Sequence, residues 1–208
     1  MSTRFSPRSA RRRMESMKRQ TSKYFFYTVI VVVVIAACGL LLSFGLQKYY
    51  NARYPMEYRG VIESYSREYS LPPSFVFAVV HTESRFDPRA VSEDDARGLM
   101  QITKDTFDWV LYRMGEEEMD YDEVIFDPAL NVRCGTFLLR YLYDEFGSYD
   151  LALCAYHAGR GSVNGWLADE EFSDDGQTLK EIPFSDTRWY VERVNETRKI
   201  YQDLYDLE

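Results

Sequence analysis

The sequence predicts an all-α protein in which a helical domain follows a single N-terminal transmembrane helix. Three observations lead there. The stretch from Tyr24 to Leu46 is 23 residues long, carries no charge and follows a basic segment. After residue 57, apolar residues recur at spacings of three and four between helix-start residues and glycines. No alternating apolar–polar pattern longer than a few residues occurs, so nothing reads as a half-buried strand. A length of 208 residues leaves room for one ordinary domain plus such an anchor. With 46% hydrophobic and 28% charged residues the composition is globular, not disordered or collagen-like. Two His and three Cys are too few for a His- or Cys-rich zinc site, and no metal or cofactor is expected.

Residues 1–23 carry eight Arg and Lys against Glu15, a charge of +7, which leaves −15 for the remainder. That split places the two parts in different surroundings. The acidic remainder lacks the excess cations that a nucleic-acid-binding domain needs to displace counterions, so no nucleic-acid partner is expected. Residues 24–46 are long enough to span a hydrocarbon core of about 30 Å. Tyr24, Phe25, Phe26 and Tyr27 at one end, with Tyr49 and Tyr50 beyond the other, resemble an interfacial aromatic belt. The positive-inside rule then makes residues 1–23 a cytoplasmic tail and puts residues 47–208 outside the cell membrane. Ile35-Ala36-Ala37-Cys38 has the form of a lipobox, but the apolar run continues through Leu40, Leu41, Leu42, Phe44 and Leu46. An uncleaved single-pass anchor is the expectation.

Residues 47–57 form a juxtamembrane connector, and residues 58–208 form the domain. Tyr58, Ile62, Tyr65 and Tyr69 share one helical face. Pro72-Pro73 opens a second helix that runs through Phe75 to Ser84. Thr103 caps a third, ended by Gly115. Asp127-Pro128 is an N-cap followed by an N1 proline, and the long helix it starts closes at Gly147, with a stripe of Leu130, Cys134, Phe137, Leu138, Tyr141 and Leu142. Asp150 caps the next short helix, and the last begins near Asp186 and carries Tyr190, Val194, Tyr201 and Tyr205. The stretch around Gly98–Ile102 reads as a small hairpin or loop. Two acidic runs, residues 116–123 and 169–175, lack EF-hand spacing and read as solvated loops. Cys134 and Cys154 lie on neighbouring helices, and either a bridge or two packed thiols fits the pattern.

Glu83 is the first candidate for chemistry. Phe75, Val76, Val79, Val80 and Glu83 sit three and four apart, so the carboxyl projects from an apolar stripe. It also stands at the C-terminal end of its helix, where the dipole disfavours negative charge. Both effects raise a carboxyl pKa, as a general acid near neutral pH requires.

The run from Glu83 and Ser84 through Phe86, Pro88, Ala90 and Ser92 is followed by Gly98-Leu99-Met100-Gln101. Then come Asn131-Val132 with Gly135, Ala155-Tyr156-His157-Ala158-Gly159, and Thr187-Arg188-Trp189-Tyr190-Val191. This ordered set, over roughly residues 58–205, resembles the soluble lytic transglycosylase (SLT) family of peptidoglycan-cleaving enzymes. Its pattern is E-S-x-F/W-x-P-x-A-x-S, G-L-M-Q, N-I/V-x-x-G, A-Y-N-A-G and E-T-R-x-Y-V. The resemblance implies a lysozyme-like catalytic domain with Glu83 as its single catalytic acid and base. It also implies that Ser92 contacts the reacting sugar, that Gln101 lines the cleft and that Tyr156 holds its hydroxyl near the Glu83 carboxyl. Met100 and His157 complete the expected substrate-binding set. His157 stands where the family has Asn, and Thr103 follows Ile102 where many members have Met.

The reaction implied needs one carboxylate where an ordinary glycosidase needs two. It cleaves the β-1,4 bond between N-acetylmuramic acid and N-acetylglucosamine and leaves a 1,6-anhydro end, with glycan strands as the partner. Two alternatives stay open. Asp87, Glu93, Asp94 and Asp95 lie close enough in sequence to supply the second carboxylate of a muramidase. A wall-binding scaffold that has kept the cleft is the non-enzymatic reading.

Overall fold

The computed structural model describes residues 7–207, and the start of the basic segment, including Arg4, lies outside the described residues. The chain divides into two compact units, residues 1–53 and 54–208.

The first unit is one helix, α1 (Pro7–Arg53). It continues through residues 47–53, so most of the expected connector is helical. At 1.5 Å per residue, the uncharged stretch of α1 is about 35 Å long. Its large apolar side chains, among them Phe25, Val33, Leu41 and Phe44, are exposed. Among the described residues, this is the one helix long and apolar enough to cross a membrane.

The second unit is built of helices, with no strand among its described residues beyond two isolated antiparallel bridges, Val91–Arg97 and Arg97–Ile102. Helix α2 (Arg59–Glu68) leads to α3 (Pro73–Glu83), which runs through the middle of the core. Eight consecutive α3 residues, Ser74 to His81, are buried, which explains why this segment is apolar all round and not striped. Its main partner is α9 (Ser185–Tyr205), which turns Thr187, Tyr190, Val191, Val194, Thr197 and Tyr201 inward. Tyr201 stacks on Phe77 with ring centroids 5.4 Å apart. Its hydroxyl donates to the Pro55 carbonyl at 2.9 Å, as Tyr205 donates to that of Tyr54 at 2.6 Å. The unit thus begins at Tyr54, a few residues before the sequence expectation.

Capping residues set most of the remaining ends. Thr103 accepts the Thr106 N–H at the start of α4 (Lys104–Met114), and Gly115 closes it at φ +72°. Asp127 accepts the Leu130 N–H at 2.8 Å to open α6 (Pro128–Phe146). Between them lies the short α5 (Tyr121–Val124), which the sequence reading had as loop. That acidic run is also tied down. Glu116 pairs with Arg133 at 2.6 Å, Asp122 pairs with Arg97, and the buried Tyr121 donates to the Ile102 carbonyl at 2.8 Å.

Two further expectations are corrected, and one helix is added where the sequence reading assigned nothing. The cap of α7 (Tyr149–Ala158) is Ser148, whose hydroxyl accepts the Leu151 N–H, while Asp150 lies within the first turn. The segment after Gly159 is a helix, α8 (Arg160–Ala168), despite its three glycines nearby. The buried face of α6 is Asn131, Val132, Cys134, Gly135, Thr136, Leu139 and Leu142, with Phe137 and Leu138 only half-buried, because neighbours cover α6 on more than one side. Cys134 and Cys154 are both free and buried, and burial pushes each thiol up to about 12, which leaves them unreactive packing groups.

Candidate active site

Glu83 is the last residue of α3. The next residue, Ser84, anchors that end by donating its hydroxyl to the Leu99 carbonyl at 2.8 Å. Arg85 and Phe86 then both take left-handed backbone angles, φ +53° and +66°, an arrangement unusual for side chains of that size. Burial of the Phe86 ring beside Phe77 and His81 holds this turn in place. The sharp turn leaves the half-buried Glu83 carboxyl facing a cleft.

The floor of the cleft is the loop 97–102, fastened to α6 by one buried side chain. Asn131 accepts the Met100 N–H at 2.8 Å and donates to the carbonyls of Arg97 and Ile125, both at 3.0 Å. Gly98 lies at φ +79°, and a Cβ there would run into Asn131; a Cβ on Gly135 would run into Met100. The G-L-M-Q and N-V-x-x-G motifs are therefore the two halves of one joint. Their glycines serve close approach.

A hollow of about 280 Å³ is lined by Glu83, Ser92, Asp94, Gln101, Tyr156 and His157, together with Leu138 and residues of the 102–106 segment. A second hollow of about 380 Å³ shares Thr106, Leu138 and Tyr156 with it and extends to Trp109 and Arg160. The two adjoin at these shared residues and form one groove, with Glu83 in the wall of the first hollow.

Ser92 accepts the Ala96 N–H on its hydroxyl at 3.1 Å, so it shapes the 92–96 turn as well as facing the hollow. Gln101 donates both amide hydrogens to the loop, to Gly98 at 3.0 Å and Ala90 at 3.2 Å, which leaves only its carbonyl oxygen for a ligand. His157 is exposed at the rim.

One expectation changes and one gains a second residue. Met100 is fully buried against Gly135, and its carbonyl accepts the Tyr156 hydroxyl at 2.7 Å, so it supports the floor and is out of reach of a substrate. Tyr156 lines the hollow with Glu83 and lies within reach of its charge, but the phenol hydrogen-bonded to the carboxyl is that of Tyr190, which donates to Glu83 Oε1 at 2.6 Å. Sequence reasoning placed Tyr190 on the last helix and within the E-T-R-x-Y-V pattern, but gave it no role at the site. The available signal was a buried tyrosine, whose hydroxyl requires a polar partner. Of the neighbouring carboxylates, Asp94 lines the hollow, Asp95 pairs with Arg97 at 2.8 Å, and Asp87 accepts the Arg89 N–H at 2.9 Å in a local turn.

Burial pushes the Glu83 carboxyl up to about 7, against the opposing effect of the Tyr190 hydrogen bond. Burial and the nearby Glu83 charge push both Tyr156 and Tyr190 well above their usual range, so both phenols stay neutral donors. The arrangement is a carboxyl group able to hold or release a proton near neutral pH at the wall of a polar groove.

Residues 60–178 match the family described as the transglycosylase SLT domain. The chain is 33% identical over 144 residues to the soluble lytic murein transglycosylases of Escherichia coli K12 and of Salmonella typhimurium. That alignment covers 68% of this chain and 22% of each relative, so the chain spans less than a quarter of their length. Among solved structures, an inactive mutant of the lytic transglycosylase Slt from Pseudomonas aeruginosa superposes with a TM-score of 0.67 at 30% identity, over 75% of this chain and 25% of that one. The 70 kDa soluble lytic transglycosylase of Escherichia coli gives 0.67 at 29% identity, over 76% and 26%, and a complex of a 70 kDa soluble lytic transglycosylase with bulgecin A gives the same values. With more than half of its residues matched and its helical unit superposing on these structures, the chain belongs to the SLT transglycosylase family and has the all-α, lysozyme-like fold.

Proposed function

We propose that this protein is a membrane-anchored lytic transglycosylase that cleaves peptidoglycan with Glu83 as its one acid and base. The observation that carries the reading is a carboxyl held near pH 7 by burial, hydrogen-bonded to Tyr190, at the wall of a groove. Protonated Glu83 gives its proton to the glycosidic oxygen between N-acetylmuramic acid and N-acetylglucosamine, and the C–O bond breaks. The sugar's own N-acetyl group stabilises the cation that forms. Glu83, now a carboxylate, takes the proton of the muramic acid C6 hydroxyl as that oxygen closes the 1,6-anhydro ring. No water is consumed, and Glu83 ends as it began, protonated.

Ser92, the Gln101 carbonyl oxygen and the exposed part of Tyr156 hold the sugars along the groove. Residues 24–46 anchor the chain, the basic residues before them stay in the cytoplasm, and residues 54–208 work outside, where the wall lies. The relatives named for murein support this substrate. Asp94 in the same hollow supports a second reading, a muramidase in which that carboxylate activates water.

The test is mass spectrometry of fragments released from purified peptidoglycan by the full chain in detergent, with Glu83→Gln as control. Ends lighter by one water, absent with Glu83→Gln, are expected. Reducing ends lost in Asp94→Asn would establish the hydrolase instead. Binding without release would identify a scaffold.

A further inference from the structure

His157 occupies the cleft-lining position at which this chain departs from the A-Y-N-A-G pattern. It stands in the last turn of α7 and is held on two sides. Its ring stacks on that of Tyr190, with centroids 4.5 Å apart and planes 30° from parallel. Its Nδ1 shares a hydrogen bond of 3.2 Å with the hydroxyl of Thr187, a buried residue one turn before Tyr190 on α9. Tyr190 in turn donates to Glu83 at 2.6 Å. Imidazole, phenol and carboxyl thus form a contiguous chain, and its two ends line the same hollow. An asparagine could keep the Thr187 contact. It has no ring to stack on Tyr190 and cannot take up a charge.

We infer that His157 is a positioning residue that acts on Glu83 through Tyr190, and that its protonation slows bond cleavage. The stacked ring holds the phenol hydroxyl on the carboxyl. Protonation of the imidazole adds a positive charge at the wall of the hollow in which a glycosyl cation must develop. It also makes the stacked phenol a stronger donor to Glu83, which favours the carboxylate over the proton-bearing acid. Both effects oppose the first step. The groups facing the imidazole are Tyr190, Thr187 and Asp186 from α9, Tyr156 from its own helix, and Glu83 and Asp94 across the hollow. Burial favours the neutral ring and outweighs Asp186, so the ring titrates below its ordinary 6.5 and is neutral at pH 7.

This inference rests on Glu83 being the acid. The test is kcat/KM for release of fragments from peptidoglycan by the full chain in detergent, between about pH 4.5 and 8.5. It compares the unmodified protein, His157→Asn, His157→Gln and Glu83→Gln. The unmodified protein is expected to show an alkaline limb near pH 7 and an acid limb below pH 6.5. Both His157 variants should keep the alkaline limb and lose the acid one. Relative to its own maximum, each should then exceed the unmodified protein at pH 5 by roughly tenfold, a single charge acting across a partly screened cleft. An acid limb unchanged in the variants overturns the inference, as does its absence from the unmodified protein. Activity retained by Glu83→Gln overturns the acid assignment itself. Should the variants not fold, the imidazole signals of the two histidines in the unmodified protein decide the matter by NMR. A His157 midpoint that coincides with the acid limb supports the inference, and one displaced from it by more than about one pH unit refutes it.

Discussion

Replacing Glu83 by Gln should make the protein more stable in mild alkali while abolishing its activity. The Glu83 carboxyl is raised from 4.5 in the unfolded chain to about 7 in the folded one, chiefly by burial. The folded state therefore binds the proton more tightly than the unfolded state. The associated stability is fully present below pH 4.5 and is lost as pH rises through 7. A shift of about 2.5 units corresponds to about 3 kcal/mol, an upper figure because the side chain is only half-buried. Glutamine mimics the protonated acid in shape, carries no charge and can still accept the Tyr190 hydrogen bond. At pH 4 the variant should match the parent. At pH 8 it should be more stable by up to about 3 kcal/mol, or on the order of 6–12 °C in melting temperature for a domain of this size. Thermal unfolding of both proteins in detergent at pH 4, 6 and 8 measures this. If the two melting curves shift with pH in parallel between 4.5 and 8, the carboxyl is not raised, and the argument for Glu83 as a neutral-pH acid falls with it.

Two further outcomes are expected. Asn131→Ala strands the buried Met100 N–H and the Arg97 and Ile125 carbonyls at once, so chemical denaturation should show a loss of about 3 kcal/mol, roughly 1 kcal/mol for each hydrogen bond. A loss below about 1 kcal/mol would mean the loop holds itself without this joint. Tyr190→Phe removes the hydrogen bond that lowers the Glu83 pKa, so the alkaline limb of the activity profile should move to higher pH by about one unit; a limb that stays in place counts against Tyr190 as the partner that matters.

Local chemistry was legible in the sequence wherever one residue suffices to state it. Thr103, Asp127-Pro128, Gly115 and Gly147 mark helix ends because capping and left-handed closure depend on a few neighbouring atoms. The placement of Glu83 at the end of an apolar helix followed from spacing alone. Ser148 was missed as a cap because Asp150, two residues on, is an equally good capping residue in isolation. Helix α8 carries no strong local signal, since its glycines weaken intrinsic propensity, and burial of Val163 and Trp166 supplies what the local sequence lacks. The acidic run at 116–123 read as solvated because its partners, Arg97 and Arg133, are distant in sequence.

By itself, the sequence determined that the chain carries an uncharged span of membrane length, a helical domain after it, and a carboxyl placed on an apolar face at a helix end. Those properties follow from composition, periodicity and the nearest few residues. Which phenol meets that carboxyl was decided only by the tertiary structure. Tyr190 lies 107 residues away from Glu83, and the packing of α9 on α3 brings it there, while Tyr156, expected near the carboxyl, donates its hydroxyl to the Met100 carbonyl. Packing of the 97–102 loop on α6 turned Met100 from a substrate contact into a core residue, and packing of α7 on α9 stacked His157 on Tyr190. A burial-driven pKa belongs to this second class, because desolvation is the sum of what all neighbouring elements exclude, and no local pattern records it.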